Sequence, residues 1–212
     1  MEEHYHYTYF LDDPIIVWEK PKGYKNVTTT EIKGLKRKYI KKETMAGFHT
    51  KTFLKHDDYM TPKHAWDNIK HIIPKDKVIW EAFYGDGKSG NHLRELGFMT
   101  YHEPIDFFEN DQGDVIVSNP PFSKSKEVLT RLVELQKPFI LILPSSKINT
   151  QYVRNLFKDE KDKLQIVIPR KRIHFEKQID GEVPKNWKNA CNFDCFYYCW
   201  KIGLERDITW LE

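Results

Sequence analysis

The sequence predicts an α/β fold, an open and mostly parallel sheet flanked by helices, over residues 56–212. The first observation is that short apolar runs alternate with amphipathic segments from Val78 onward, as a sheet with helical connections requires. The second is the continuously apolar run 139–143, which is typical of a strand covered on both faces. The third is the apolar stretch 193–200, which is expected to close the sheet as an antiparallel strand.

The individual elements follow from apolar periodicity and from the residues that end each run. The first predicted strand is a short one that begins at Val78, and the later ones cover 98–102, 114–118, 139–143, 164–168 and 193–200. The predicted helices cover 92–96, a segment after Ser123, and 152–157. Gly97 ends the first of these helices, and Ser123 is expected to cap the second. The second helix has one apolar face, made of Val128, Leu129, Leu132, Val133 and Leu135.

The composition indicates one folded domain preceded by an amino-terminal extension, residues 1–55. The 212 residues, 40% of them hydrophobic, are enough to bury a sizeable core. A net charge of +3 permits nucleic-acid binding without requiring it. No run reaches the roughly 18 apolar residues of a membrane span. The segment 1–6 lacks the basic-then-apolar pattern of a secretion signal. We therefore expect a soluble intracellular protein, in cytoplasm or nucleus, without a membrane partner.

The most informative motif is the apolar strand from Asp114 that runs directly into Asn119, Pro120, Pro121 and Phe122. Two consecutive prolines fix φ and remove two backbone donors, which leaves nearby carbonyls without an internal partner. An amide oxygen, a free carbonyl and an aromatic plane suit an exocyclic amine on a flat heterocycle. The alternative is an ordinary Pro-Pro turn that ends a buried strand.

Upstream, a short strand leads into a glycine-rich turn with Gly85, Gly87 and Gly90. Glycines let the backbone approach a ligand closely, and the following helix offers unpaired N–H groups. Taken alone, this pattern also fits a dinucleotide site. Two acidic residues follow. Glu103, at the end of the next strand, is placed to bind ribose hydroxyls. Asp106, followed by aromatic residues, suits an adenine amine.

Taken in this order, the motifs resemble the class I methyltransferases that use S-adenosylmethionine. They are closest to the DNA adenine-N6 enzymes of gamma-type motif order, and the resemblance runs from about Tyr59 to Trp200. It implies a Rossmann-like sheet and S-adenosylmethionine as the cofactor. The implied catalytic residues are Asn119, Pro120, Pro121 and Phe122. The implied cofactor-binding residues are Tyr59, Thr61, Pro62, Glu81, Ala82, Phe83, Gly85, Asp86, Gly87, Glu103, Asp106, Phe107 and Asn119. One departure is that Glu103 and Asp106 lie unusually close together.

The connection before the last strand interleaves cations with rings. We expect it to bind the substrate through Arg170, Lys171, Arg172, His174, Phe175 and Trp187, together with Phe122. Cations contact phosphates and rings stack on bases. The alternative is a solvated charged loop. For a second basic run, 33–42, phosphate contact and plain solvated surface both remain open.

The cysteines predict neither a metal nor a disulfide. Cys191, Cys195 and Cys199 recur every four residues and would share one face of a strand as buried thiols. Zinc requires a fourth ligand and usually a tighter pair spacing. We therefore expect no metal site.

The resemblance implies direct methyl transfer to the N6 amine of adenine in DNA. Because the Asn-Pro-Pro-aromatic tetrad occurs in other enzymes, three alternatives remain open. They are an RNA methyltransferase acting on adenosine-N6 or guanine-N2, a non-catalytic methyltransferase-like subunit, and a protein-modifying enzyme. Nucleic acid is the expected partner, DNA before RNA. No large target-recognition domain is recognisable after the core, so any sequence specificity is expected to come from the amino-terminal extension, the 169–190 connection or a partner chain. A homodimer or a partner subunit is a further expectation.

Overall fold

The computed structural model describes residues 59–177 and 193–212, together with four strands nearer the amino terminus. The chain divides into two compact units, Met1–Thr52 and Phe53–Glu212. In the first unit, β1 (Tyr5–Phe10) pairs antiparallel with β2 (Asp13–Trp18), and β3 (Thr29–Ile32) with β4 (Leu35–Lys38).

The second unit is built on a seven-stranded sheet with helical connections. The strands described in this unit, seven of which form the sheet, are β5 (Tyr59–Met60), β6 (Ile79–Trp80), β7 (Thr100–Tyr101), β8 (Val115–Ser118), β9 (Phe139–Pro144), β10 (Gln165–Ile168), β11 (Glu176–Lys177), β12 (Cys195–Trp200) and β13 (Ile208–Trp210). Its α-helices are α1 (Lys63–Asp67), α2 (Lys88–Glu95), α3 (Ser125–Glu134) and α4 (Gln151–Phe157). The sheet order is β13-β10-β12-β9-β8-β6-β7, while β5 and β11 form a separate antiparallel pair.

The predicted α/β sheet is confirmed. Strands β7, β6, β8 and β9 run parallel, and β12 lies antiparallel between β9 and β10. The antiparallel strand predicted over 193–200 is therefore present, but it does not end the sheet. The edge is β13, which pairs parallel with β10 and was not predicted from the sequence. Strand β13 is three residues long, too short for its apolar pattern to be recognised.

The core lies on both faces of the central strands. Every residue of β8 and β9 is buried, as the continuous apolar run in 139–143 predicted. Helix α3 covers one face with Val128, Leu129 and Leu132, which are completely buried. Within the described part of the chain, no helix has the length and apolar character needed to cross a membrane.

Two of the cysteines lie in this core. Cys195 and Cys199 are buried on β12, as predicted, while Cys191 lies outside the described residues. Burial raises the pKa of the Cys199 thiol to about 12, which keeps it protonated and unreactive at neutral pH. In the described ranges, no group of three or more His, Cys, Asp or Glu side chains is arranged to hold a metal ion.

The start of α3 differs from the prediction. The chain leaves Pro121 through one 3-10 turn over residues 122–124, in which the amide of Lys124 donates to the carbonyl of Pro121 at 2.9 Å. The helix therefore begins at Ser125, and the N-cap position is Lys124 instead of Ser123. Ser125 donates its hydroxyl to the carbonyl of Phe122 at 2.7 Å, which ties the helix start to the end of the proline motif.

Candidate active site

A cavity of about 390 Å³ opens at the carboxyl ends of the parallel strands β6 and β8. Glu81 directly follows β6 and Asn119 directly follows β8, so the two side chains meet at one edge of the sheet, where open α/β sheets bind ligands. The cavity lies within the usual range of about 300–1,000 Å³ for small-molecule sites. Its walls are formed by Tyr59, Met60, Thr61, Glu81, Ala82, Phe83, Tyr84, Gly85, Asp86, Ser89, Ile105, Asp106, Phe107, Phe108, Asn119 and Pro121.

The glycine turn between β6 and α2 forms one wall. Gly85 and Gly87 have φ values of +56° and +80°, a left-handed backbone that disfavours other residues. A Cβ at Gly85 would lie 3.0 Å from Sδ of Met60, so β5 also approaches this backbone closely. Asp86 accepts the amide of Lys88 at 3.1 Å, which satisfies one of the first N–H groups of α2.

Gly90 has a different role from the one predicted. Helix α2 begins at Lys88, four residues earlier than expected, so Gly90 lies inside the helix and not in the turn. A Cβ at this position would lie 2.3 Å from Cδ2 of His102. Gly90 therefore makes room for an imidazole ring of this protein and not for a ligand.

That ring belongs to a buried network around Glu81. Ser118 donates its hydroxyl to Glu81 Oε1 at 2.5 Å, and Nδ1 of His102 lies 2.7 Å from Oε2 and 2.8 Å from the Glu81 carbonyl oxygen. The side chains of Glu81 and His102 are each 1% exposed. Burial lowers the pKa of His102, but the hydrogen bonds and charge of Glu81 outweigh it, so the pKa lies above its ordinary value.

Asn119 has one end of its amide occupied and the other unpaired. Its Nδ2 donates to the carbonyl oxygen of Tyr59 at 2.9 Å. Its Oδ1 is buried and finds no hydrogen-bond partner among the described residues. A buried acceptor without a partner is costly, and a ligand N–H would relieve that cost.

Phe122 does not present the open stacking face that the sequence predicted. It is 1% exposed, and the ring of Tyr59 stacks on it with centroids 5.6 Å apart and an interplanar angle of 26°. Phe175 and Phe193 approach its edges at 6.0 and 5.6 Å. These four rings form an aromatic cluster behind the proline motif. Phe122 is buried because β5 brings Tyr59 over it, a contact between segments far apart in sequence.

Most of the predicted cofactor residues line the cavity. They are Tyr59, Thr61, Glu81, Ala82, Phe83, Gly85, Asp86, Asp106, Phe107 and Asn119. Pro62 and Gly87 do not; they are the N-cap residues of α1 and α2.

Glu103 is exposed and does not line the cavity, contrary to the prediction of a ribose-binding acid there. Strand β7 ends at Tyr101, and the residue that contacts Glu81 is His102. Because successive side chains of an extended segment alternate in direction, Glu103 falls on the other side. Asp106 reaches the cavity, where its Oδ1 also accepts the amide of Phe108 at 2.7 Å.

Sequence reasoning missed five lining residues, Met60, Tyr84, Ser89, Ile105 and Phe108. Tyr84 and Phe108 are large aromatic residues that remain 42% and 37% exposed at the cavity. Tyr84 stacks on His102 with ring centroids 4.8 Å apart. Tyr84 follows Phe83 in the sequence and Phe108 follows Phe107. Because Phe83 and Phe107 were predicted to line the site, their aromatic neighbours could have been added to the prediction on that ground.

The predicted basic segment is only partly available for phosphates. Arg172 donates from Nε and Nη2 to the two carboxylate oxygens of Asp194 at 2.7 and 3.2 Å. Arg170, Lys171 and His174 are exposed, whereas Phe175 is completely buried in the aromatic cluster. Trp187 lies outside the described residues.

The sheet order with its inserted antiparallel strand, the glycine turn after β6 and the Asn-Pro-Pro-Phe motif after β8 define a class I methyltransferase. The chain belongs to the family described as adenine-specific methyltransferase EcoRI, whose model matches residues 23–192. It is also similar to the type II methyltransferase M.EcoRI of Escherichia coli, with 29% identity over 119 residues. That alignment covers 56% of this chain and 32% of the relative, so the chain spans about a third of the relative's length.

Proposed function

We propose that this protein transfers a methyl group from S-adenosylmethionine to the N6 amine of adenine in DNA. The observation that carries the proposal is Asn119, a lining residue of a cavity built on a glycine turn, whose buried Oδ1 has no hydrogen-bond partner in the described part of the chain. Membership of an adenine-specific methyltransferase family supports adenine as the base.

The chemistry of the cavity fits the cofactor. A positive-φ glycine turn permits close backbone approach, the aromatic residues Phe83, Phe107 and Phe108 offer apolar faces, and Glu81, Asp86 and Asp106 supply carboxylates. These residues would hold S-adenosylmethionine, and the glycine turn would make the backbone contacts with it. When bound, S-adenosylmethionine supplies an electrophilic methyl group on a sulfonium, so no covalent enzyme intermediate is required.

The protein's contribution to the reaction is at the amine. The lone pair of an aromatic amine is conjugated into its ring, which makes the nitrogen a weak nucleophile. Asn119 Oδ1 and the carbonyl of Pro120 would accept its two hydrogens, localise the lone pair and favour a tetrahedral nitrogen. Carbonyl dipoles aimed at the developing positive charge also stabilise the transition state. In the transfer, the amine nitrogen would gain the methyl group, S-adenosylhomocysteine would be the leaving group, and one proton of the nitrogen would pass to water.

A base in a duplex must leave the stack before it can reach Asn119, which costs a few kcal/mol. The exposed Arg170 and Lys171 are the described cations of the predicted segment that we expect to contact phosphates. The aromatic cluster of Tyr59, Phe122, Phe175 and Phe193 adjoins Asn119 through the Tyr59 carbonyl and is the expected place for the base. Because Tyr59 already stacks on Phe122, the base would have to displace the Tyr59 ring.

The direct experiment offers DNA, RNA and protein in parallel as acceptors of a radiolabelled methyl group, followed by nucleoside analysis of the product. We expect label in DNA as N6-methyladenine. Label confined to RNA or to protein would overturn the proposed substrate.

Cofactor binding is tested separately by calorimetry with S-adenosylhomocysteine. Gly85→Val should weaken binding at least about tenfold, because it places a side chain against Met60 and forces a strained backbone in the cavity wall. Gly203→Val is the matched control, since Gly203 has a φ of +78° but nothing within 4 Å of its added Cβ. Equal affinity of wild type and the Gly85 variant would remove the turn from the site.

A further inference from the structure

We propose that His102 is a positioning residue of the cofactor site. It fixes the Glu81 carboxylate on the cavity wall, and its ring proton sets the net charge which that wall presents to S-adenosylmethionine. The inference rests on the proposed cofactor and concerns a residue that touches no ligand itself.

Glu81 is contacted from both sides. It follows β6, and Ser118 of β8 donates its hydroxyl to Oε1 at 2.5 Å. His102, just after β7, has its Nδ1 2.7 Å from Oε2, an ion-pair contact, and 2.8 Å from the Glu81 carbonyl oxygen. Strands β7 and β8 are the two neighbours of β6 in the sheet, so Glu81 is contacted from both adjacent strands while it lines the cavity.

The His102 ring has little freedom to turn away from Glu81. Tyr84 stacks on it, with ring planes 18° apart. Gly90 of α2 lies against it so closely that even a methyl group would overlap Cδ2. Its Nδ1 contacts the Glu81 carboxylate and carbonyl, and its Nε2 is buried without a partner in the described part of the chain. The ring is thus held in one orientation, with Nδ1 toward Glu81.

The charge on the ring depends on its neighbours. Among the described residues, the charged groups acting on the ring are Glu81 after β6 and Arg94 on α2, while Tyr84 of the glycine turn stacks on it and Ser118 of β8 contacts its partner Glu81. Glu81 raises the pKa of His102 and Arg94 lowers it, with a net rise despite burial. Protonation of the ring therefore adds one positive charge to the Glu81–His102 pair on the cavity wall.

The two ligands differ in charge at one atom. S-adenosylmethionine and S-adenosylhomocysteine share the same amino-acid and adenosine groups, but only the first carries a sulfonium cation. The neutral His102 ring favours that cation over the protonated ring, because like charges repel strongly in a wall of low dielectric constant. By reciprocity, the sulfonium must weaken the hold of His102 on its proton. Binding of S-adenosylmethionine should therefore release more protons than binding of S-adenosylhomocysteine, at pH values near the His102 titration.

The experiment is calorimetry of both ligands in buffers of different ionisation enthalpy, which counts protons released, between pH 5.5 and about 8.5 around the ordinary His value. Nuclear magnetic resonance of the His102 ring in the unliganded protein locates its titration independently of any ligand. For wild type we expect greater proton release with S-adenosylmethionine. The preference for S-adenosylmethionine over S-adenosylhomocysteine should fall by about fivefold or more as the pH drops through the His102 titration.

His102→Asn tests the residue itself, because asparagine keeps an N–H donor for Glu81 but does not titrate. Its preference between the two ligands should be independent of pH. The control is His71→Asn, since His71 is exposed and does not line the cavity, and this variant should behave as wild type. If His102→Asn does not fold, the ring titration of wild type with each ligand bound decides instead: only S-adenosylmethionine should lower it.

Two results separate the inference from the proposed function. Equal proton release with both ligands, or a wild-type pH dependence in a folded His102→Asn variant, overturns the inference and leaves the cofactor in place. Failure of wild type to bind either ligand overturns the proposed cofactor, and the inference with it.

Discussion

Asn119 donates its Nδ2 hydrogen to the carbonyl oxygen of Tyr59 at 2.9 Å, across sixty positions of sequence. This bond fixes which end of the Asn119 amide is free, because the donor is occupied and Oδ1 remains as the acceptor. Tyr59, which is predicted to contact the cofactor, thus also orients the side chain that we propose binds the amine. Because the bond joins β5 to the proline motif, a substitution that displaces the Tyr59 backbone is expected to alter the orientation of the Asn119 amide.

The first prediction concerns that acceptor. Asn119→Ala should lower turnover about 10²–10³-fold, the usual loss when one positioned hydrogen-bonding group of a transition state is removed. Affinity for S-adenosylhomocysteine should change little, because the remaining cavity walls are intact. The measurements are methyl transfer to DNA under single-turnover conditions and calorimetry of the product cofactor.

Asn155→Ala serves as its control, since Asn155 is exposed on α4 and accepts only from Gln151 among the bonds seen. This variant should retain wild-type turnover. Near-normal turnover in Asn119→Ala would refute the proposed amine chemistry.

The second prediction concerns the contribution of Phe122 to packing. Because Phe122 is 1% exposed and lies in the aromatic cluster, Phe122→Ala should lower the free energy of unfolding by about 3–5 kcal/mol. Phe108→Ala is the comparison, because Phe108 also lies at the site but is 37% exposed, and its loss should cost less than half as much. Urea unfolding measures both. Equal costs would show that Phe122 is not packed as described.

The third prediction concerns the fit of His102 against α2. Gly90→Ala would place a methyl group 2.3 Å from Cδ2 of the ring, and overpacking of this kind costs about 1–3 kcal/mol. Because the ring holds Glu81, cofactor affinity should fall as well. Gly97→Ala, where the added methyl group meets nothing within 4 Å, should lose stability through backbone strain alone and keep cofactor affinity.

Urea unfolding and calorimetry of S-adenosylhomocysteine are compared for the two glycine variants. A Gly90→Ala protein with unchanged stability and unchanged affinity would contradict the contact between α2 and His102.

The sequence was sufficient for the central strands and for the two residues that follow them. Apolar runs identified β6, β8 and β9 because these strands are buried on both faces, and that is a local property of the chain. Glu81 and Asn119 then fall at the sheet edge by the geometry of parallel strands. The cavity-lining residues that adjoin these strand ends were predicted from the resemblance of the motifs to those of class I methyltransferases.

The remaining features depend on contacts between distant segments. After the end of β7, His102 and not Glu103 points toward the site and contacts Glu81. This depends on the alternation of side chains after Tyr101 and on the space that Gly90 leaves for the His102 ring. The burial of Phe122 depends on Tyr59, and the pairing of Arg172 depends on Asp194. None of these partners lies near its counterpart in sequence, so periodicity and motif spacing carry no signal for them.

The Arg172–Asp194 pair divides the predicted basic segment into two kinds of cation. Arg172 is held by a bidentate ion pair at the start of β12, whereas the neighbouring Arg170 and Lys171 are exposed. An arginine with one edge of its guanidinium already engaged in a bidentate pair with a carboxylate gains less from a phosphate than a solvated cation does. We therefore expect the phosphate contacts of this segment to come from residues 170 and 171.

The fourth prediction follows for the salt dependence of DNA binding. Replacing Arg170 and Lys171 together by Gln should lower affinity and reduce the slope of log K against log salt concentration by about one unit for each phosphate that is no longer neutralised. Arg172→Gln should leave the slope nearly unchanged and act on stability instead. The same replacement of Lys36, Arg37 and Lys38, whose side chains lie outside the described residues, provides the comparison. A slope reduced only by the 36–38 variant would assign the phosphate contacts to the amino-terminal segment, and a slope reduced only by Arg172→Gln would contradict the role given to its ion pair.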